Sequence, residues 1–159
     1  MHCDTNSLPF SDVIGPELID AMLRLRPGGL TWRRTFPGQL DQIPQARHFV
    51  RFLMEDSPHR HDIEQITAEL SANAVVHTSS GQCFGAFFVE LIRKPTVVRV
   101  TVYDSGWGAT PRFDSPNPDL LAECGRGLAV VAALATRVGR RGTQALGHAV
   151  WAEICTQPS

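Results

Sequence analysis

The segment from about His61 to His77 has its polar and apolar positions spaced with the period of an α-helix. Residues four apart stack along one stripe of such a helix. The polar stripe consists of Glu69, Asn73 and His77, and the neighbouring apolar stripe consists of Ile66, Leu70 and Ala74. A solvated helix face is the simplest interpretation of the polar stripe. A carboxylate, an amide and an imidazole beside a buried face also suit a binding site, so both interpretations stay open at this point.

Outside this helix, the pattern changes several times between the period of helices and the alternation of strands. The predicted elements are a short helix that Gly15–Pro16 opens and Pro27 closes, a strand at Trp32–Phe36, a helix at Ala46–Met54, two strands at Phe84–Ile92 and Thr96–Asp104 that form a hairpin, a helix at Gly127–Val138 and a closing strand at Gly147–Ile154. No repeat or linker divides the chain, so we assign residues 1–30 to an N-terminal extension and residues 31–159 to one domain. For the extension, partner contact, dimerisation and a helix packed on the domain all stay open.

The second hairpin strand ends in an acidic residue on its apolar face. Alternation places Val98, Val100, Val102 and Asp104 on one side of the sheet. A carboxylate buried there costs several kcal/mol unless it has a dedicated partner. An aspartate that turns into solvent or caps the next turn is the alternative, because Asp-Ser-Gly is itself a turn sequence.

Two glycine pairs follow this aspartate along the chain. Gly106 and Gly108 come directly after the strand, and Gly125 and Gly127 stand where the next helix begins. Glycines at a helix start let a ligand approach bare backbone N–H groups, and the N-terminus of a helix favours phosphate. Neither pair completes the GxGxxG motif of dinucleotide-binding domains, and the single lysine of the chain does not belong to a Walker A motif.

Composition and charge exclude several classes of partner. Hydrophobic residues make up 43% of the 159 residues and charged residues 19%, which is typical of a globular protein. The net charge of −1 gives no general attraction to nucleic acid or to a membrane surface. Because no apolar run is long enough to span a membrane and the N-terminus lacks an apolar signal core, we expect a cytoplasmic protein. The four cysteines are scattered without metal-binding spacing, which favours reduced thiols over disulfides or zinc.

The order of three motifs is specific: ExxxN on a helix, DxGxG after a strand and GxGL at a later helix start. In this order they resemble the GHKL superfamily of ATP-binding domains, which gyrase-type topoisomerases, histidine kinases and mismatch-repair ATPases share. The segments RTFPG, ARHFVR, ELSANAVVHT, VYDSGWG, GRGLAVV and GHAVWAEI are similar to the actinobacterial relatives of anti-sigma-factor serine/threonine kinases. The resemblance covers about Trp32 to Ile154. It implies an α/β (α+β) two-layer sandwich, in which helices back a mixed, mainly antiparallel sheet and ATP lies under a lid.

The resemblance gives roles to the helix stripe and to the aspartate. Asn73 would bind the Mg²⁺ that bridges the phosphates of ATP, and Glu69 would be the general base of phosphoryl transfer. Asp104 would accept a hydrogen bond from the exocyclic amino group of adenine. Because guanine has a carbonyl at that place, a buried acceptor would reject it strongly. His77 is either a residue at the edge of the site or a histidine with its own partners at the helix end.

The resemblance gives roles to both glycine pairs as well. Gly106 and Gly108 would let the backbone approach the base and would hinge a lid at about residues 109–124. Gly125, Gly127 and Leu128 would direct N–H groups at the phosphates, with Arg126 as a further phosphate contact. One position departs from the family pattern, because the closing strand usually carries a hydroxyl residue where this chain has Ala149. Hydrogen bonding to adenine would then be weaker, or it would come from Thr143 or a water molecule.

The implied function is that of an ATP-dependent serine/threonine kinase that acts on an anti-anti-sigma (STAS) partner and also holds a sigma factor. The alternative is a module that binds nucleotide without catalysis and only sequesters a partner. No long dimerisation helix with a phosphoacceptor histidine precedes the domain, which argues against a sensor histidine kinase. The resemblance implies no direct contact with nucleic acid or membrane, and it leaves a homodimer open.

Overall fold

The computed structural model of the chain describes residues 16–23, 28–108, 110–113 and 126–156. The described helices are α1 (Pro16–Leu23), α2 (Ile43–Leu53), α3 (Arg60–His77) and α4 (Arg126–Leu134). The described strands are β1 (Leu30–Pro37), β2 (Ala86–Lys94), β3 (Val97–Tyr103), β4 (Arg137–Thr143) and β5 (Gly147–Cys155). Among these helices, none combines the length and the apolar character that crossing a bilayer requires.

The five strands form one open sheet in the order β1-β2-β3-β5-β4, and every pairing between these described strands is antiparallel. The strands β2 and β3 form the predicted hairpin, which turns at Pro95 and Thr96. Helices α2, α3 and α4 supply the second layer of the core on one face of the sheet. The predicted two-layer α+β sandwich with a mainly antiparallel sheet is therefore confirmed.

The main core lies between this inner face of the sheet and the helices. Alternation along β3 directs Val98, Val100 and Val102 into the core, as predicted. The rings of Phe36 in β1 and Phe87 in β2 stack there with centroids 5.4 Å apart. Each fully buried side chain of this size contributes about 1.5–3 kcal/mol relative to an exposed one. The apolar stripe of α3 packs on the same core, which fixes the direction in which its polar stripe faces.

Helix α1 lies on the opposite, outer face of the sheet, against β4 and β5. Leu18 and Ala21 of α1 form a second, smaller apolar cluster with Tyr103 of β3 and Ala149 of β5. The N-terminal extension thus contributes a helix that is packed on the domain.

An ion pair between a buried glutamate and a partly exposed arginine lies close to α1 on this outer face. Glu90 of β2 is fully buried, and its Oε2 accepts a hydrogen bond from Arg33 Nε of β1 at 2.6 Å. The hydroxyl of Tyr103 donates to Glu90 Oε1 at 3.2 Å, and Arg33 Nη2 donates to the carbonyl oxygen of Ala21 at 2.6 Å. A buried charge needs such partners. Because Arg33 also donates to Ala21 in α1, the pair ties α1 to the sheet.

Two expectations from the sequence need correction. The helix predicted at Gly127–Val138 ends at Leu134, and Arg137–Thr143 form an unpredicted strand, β4, at the edge of the sheet. The expectation of reduced thiols is wrong for Cys83, which is disulfide-bonded. Cys155 is free and exposed, as expected.

Candidate functional site

The polar stripe of α3 faces a cavity of about 240 Å³. The cavity is lined by Glu69, Ala72, Asn73, Val76, His77, Gly127 and Leu128. The three polar residues of the stripe are half-buried, so they do not form a fully solvated helix face. Typical small-molecule pockets measure about 300–1,000 Å³, so this cavity has room for one part of a nucleotide-sized ligand.

The first turn of α4 forms the opposite side of the cavity. Gly127 lies so close to Glu69 that a β-carbon on this glycine would stand 2.5 Å from Glu69 Oε2. Leu128 is buried and anchors the turn in the core, whereas Arg126 is exposed. The predicted site residues Glu69, Asn73, Gly127 and Leu128 are thereby brought together. Gly125 lies outside the described residues.

Asp104 is buried, with 6% of its surface exposed, at the end of β3. Its Oδ1 accepts hydrogen bonds from the backbone N–H groups of Gly106 at 2.7 Å and His148 at 3.1 Å. The ring nitrogen Nδ1 of His148 lies 3.3 Å from the same oxygen. None of the hydrogen bonds among the described residues goes to Oδ2. The carboxylate is therefore held at one oxygen, and the other oxygen retains its capacity to accept.

The loop after Asp104 packs closely on the C-terminal end of α3. Gly106 has φ +71°, and its carbonyl oxygen accepts a hydrogen bond from the Ser79 N–H at 2.7 Å. A β-carbon on Gly108 would collide with the carbonyl oxygen of His77. Both glycines of the motif thus allow backbone segments of the protein to approach each other. This packing joins Asp104 to the helix end that borders the cavity.

Trp107, between these two glycines, also has an uncommon backbone conformation. Its φ is +57°, and 74% of its surface is exposed. Its N–H donates to the carbonyl oxygen of Gln144 in the turn between β4 and β5 at 2.5 Å. A non-glycine residue in this region costs roughly 1–3 kcal/mol and persists only where its surroundings enforce it. The loop is therefore held from two sides, by the β4–β5 turn and by α3.

His148 is the residue of this region that the sequence did not reveal. It pairs with Asp104 across the strands β5 and β3, with the Asp104 N–H donating to its carbonyl oxygen at 2.9 Å. A single histidine in a strand gives no sequence signal of its own. The contact depends on the register of two strands that are distant in the chain.

The same register determines which way the side chain at position 149 points. Side chains alternate along β5, so Ala149 points to the outer face, where it packs against α1. The alternative donor, Thr143, is exposed, and its Oγ1 accepts a hydrogen bond from the Leu146 N–H within the β4–β5 turn at 3.2 Å. The polar side chain that faces Asp104 from β5 is therefore that of His148.

Most of the predicted lid, residues 109–124, lies outside the described part of the chain. The structure describes only residues 110–113 of it. Within this piece Pro111 is buried, and Phe113 packs against the main core as a partly buried side chain.

The oxygen atoms beside the cavity suit a magnesium ion that is bound together with phosphates. Asn73 offers an amide oxygen as the ligand, and Glu69, the predicted base one helical turn earlier, is not counted as a ligand. Mg²⁺ prefers such oxygen ligands and is usually held by one or two protein groups, with substrate phosphates and water completing its shell. The residues present fit that arrangement.

Comparison with known proteins agrees with this geometry. A family model for the histidine kinase-like ATPase domain matches residues 36–154 of the chain. The match runs from Phe36 in β1 to Ile154 in β5 and includes all of the candidate site residues. No curated protein matches the chain.

Proposed function

Because this chain belongs to the histidine kinase-like ATPase domain family, we propose that it binds Mg²⁺-ATP and transfers the γ-phosphate to a serine or threonine of a STAS partner. Family membership supports ATP binding directly. The observation that carries the assignment of the site is the cavity in which Glu69 and Asn73 of α3 face the first turn of α4. The cavity is lined by the Glu69 carboxylate, by Asn73 as an oxygen ligand for a metal, and by the start of α4, whose N–H groups are available.

Asp104 is the proposed contact for the nucleobase. An ionised carboxylate only accepts hydrogen bonds, and its Oδ2 receives none from the described residues. This oxygen suits the exocyclic amino group of adenine. The carbonyl of guanine would place a second acceptor against it, and a buried acceptor without a donor is costly.

The start of α4 and Asn73 are the proposed contacts for the phosphates and the metal. The backbone N–H groups in the first turn of a helix have no partner within the helix, and they favour an anion. Gly127 keeps this turn free of a β-carbon on the cavity side. Asn73 would hold Mg²⁺ on the opposite wall. The ion, when bound, neutralises charge on the phosphate oxygens.

Glu69 is the proposed general base. In the transfer, the hydroxyl oxygen of the substrate serine or threonine forms a bond to the γ-phosphorus while the bond from that phosphorus to the bridging oxygen breaks, which releases ADP. The hydroxyl proton passes to the Glu69 carboxylate. Glu69 lines the cavity and is half-buried, which supports a base that would lie beside the phosphates and be reachable from outside.

The partner follows from the resemblance of the segment from Trp32 to Ile154 to anti-sigma-factor kinases. We infer that the phosphate acceptor is a STAS protein and that the chain also sequesters a sigma factor. Both partners are proteins, which agrees with the net charge of −1 and its lack of general attraction to nucleic acid.

The direct test incubates the purified chain with γ-labelled ATP, Mg²⁺ and purified STAS proteins from the same genome. We expect label on at least one of them, mapped to a serine or threonine, and loss of labelling when the magnesium is chelated. If ATP and a sigma factor both bind while no STAS protein is labelled, the chain is a non-catalytic binding module and the kinase proposal is wrong.

A further inference from the structure

His148 and Asp104 form a buried pair at the point where β5 meets the end of β3. His148 has 1% of its surface exposed. Its backbone N–H and its ring both approach Asp104 Oδ1, at 3.1 and 3.3 Å, and its carbonyl oxygen accepts the Asp104 N–H at 2.9 Å. The two residues thus contact each other through backbone and side chain at once.

The carboxylate determines which ring nitrogen of His148 carries the proton. An ionised carboxylate has no donor, so the Nδ1 contact is a hydrogen bond only if Nδ1 carries the hydrogen. In the neutral ring, Nε2 is then an acceptor. This Nε2 is buried and has no hydrogen-bond partner in the described part of the chain. An apolar side chain of similar size would fill the space without an unsatisfied atom, so the bond to Asp104 is what the imidazole contributes here.

We propose that His148 is a positioning residue for nucleobase selection, an inference that rests on the proposed ATP binding at Asp104. The ring N–H and the two backbone N–H groups of Gly106 and His148 all bond to Oδ1. Three donors on one oxygen limit the rotation of the carboxylate and leave Oδ2 as the oxygen that can accept from a base. His148 therefore acts through Asp104, and it strengthens the preference for a base that presents an amino group.

Removal of the ring donor has a specific consequence. The two backbone donors remain, so Asp104 stays in place, but its carboxylate gains freedom to rotate. A rotated carboxylate presents a less defined acceptor to the base. We expect the preference for ATP over GTP to fall by about tenfold, which corresponds to one hydrogen bond to a charged group.

Two isosteric variants separate the two ring nitrogens. In His148→Asn the amide nitrogen stands near the place of Nδ1, whereas in His148→Gln it stands near the place of Nε2. Isothermal titration with Mg²⁺-ATP and with Mg²⁺-GTP should give nearly wild-type preference for His148→Asn and a reduced preference for His148→Gln and His148→Ala. Thermal unfolding without nucleotide reports the folding of each variant. Thr67→Ala, a buried change on α3 that removes a hydrogen bond to the Ile63 carbonyl oxygen, is the stability control.

A measurement on the unaltered protein tests the same inference without any loss of stability. The ¹⁵N chemical shifts of the His148 ring should show the proton on Nδ1. A proton on Nε2 alone would overturn the inference, and so would an unchanged preference in His148→Ala or a rescue by Gln in place of Asn. If the wild-type protein binds neither nucleotide, the proposed function fails instead. The tautomer measurement still decides whether His148 holds Asp104.

Discussion

The Oε2 atom of Glu69 on α3 lies against the backbone of Gly127 on α4, at a distance that leaves no room for a β-carbon between them. The two residues come from motifs that are more than fifty positions apart in the chain. Their contact joins the candidate base to the candidate phosphate-binding turn. Any side chain at position 127 must displace the Glu69 carboxylate, because the atom that it meets is the flexible end of that side chain.

We predict that Gly127→Ala impairs phosphoryl transfer while the protein stays folded. Alanine is a better helix former than glycine, and its β-carbon meets only the flexible end of the Glu69 side chain, so the melting temperature should not fall. A displaced base loses part of the rate gain of about 10²–10⁴ that general-base catalysis provides. Steady-state transfer of label to the STAS partner should therefore decrease by at least about tenfold.

The control for this prediction is a double-mutant cycle with Glu69→Ala. If Gly127 acts through the Glu69 carboxylate, Gly127→Ala should cause little further loss in the Glu69→Ala background. Full additivity of the two losses would show that the glycine acts independently of Glu69.

The second prediction separates the roles of the two stripe residues. Glu69→Ala should keep the affinity for Mg²⁺-ATP within a few-fold but slow transfer by about 10²–10⁴-fold, because it removes the base and leaves the metal ligand. Asn73→Ala should also lose the magnesium-dependent part of ATP binding. Titrations with and without Mg²⁺ measure this difference, and Gln65→Ala, an exposed change one turn before Glu69, is the matched control. Transfer at the wild-type rate in Glu69→Ala would contradict the base role.

The third prediction concerns the outer face of the sheet. Arg33→Ala leaves the buried Glu90 without its charged partner and removes the bond to the Ala21 carbonyl oxygen. We expect a loss of about 3 kcal/mol, the lower end of the range for a broken buried pair, because the Arg33 side chain is still 30% exposed. Urea unfolding measures the loss. Replacement of both residues by leucine should recover most of it, whereas an equally unstable double variant would contradict a role for the pair.

The strongly periodic parts of the fold were predictable from the sequence. Helix α3 and the β2–β3 hairpin have long runs of one period, and their predicted positions agree with the structure within a few residues. The sequence RVGRRGT of β4 has few apolar residues, because it forms an edge strand whose side chains are mostly exposed. The alternation typical of a half-buried strand is therefore absent from this segment, and the helix predicted at Gly127–Val138 runs into the strand.

The partners of distant residues were not predictable. The polar stripe of α3 was visible, but its position opposite Gly127 depends on the way α3 packs against α4. His148 was missed because a shift of one residue in strand register exchanges the two faces of a sheet. Only the pairing of β3 with β5 shows that His148 is the side chain beside Asp104.

Nucleotide titration of the wild-type protein and of Asp104→Asn tests most directly whether this domain binds ATP through a buried aspartate. The variant keeps the size of the side chain but replaces the free carboxylate oxygen with a group that can donate. We predict that the wild type prefers Mg²⁺-ATP over Mg²⁺-GTP by at least about a hundredfold. Asp104→Asn should lose most of the ATP affinity while its unfolding transition remains cooperative. Equal binding of the two nucleotides by the wild type, or unchanged ATP affinity in Asp104→Asn, would contradict the account.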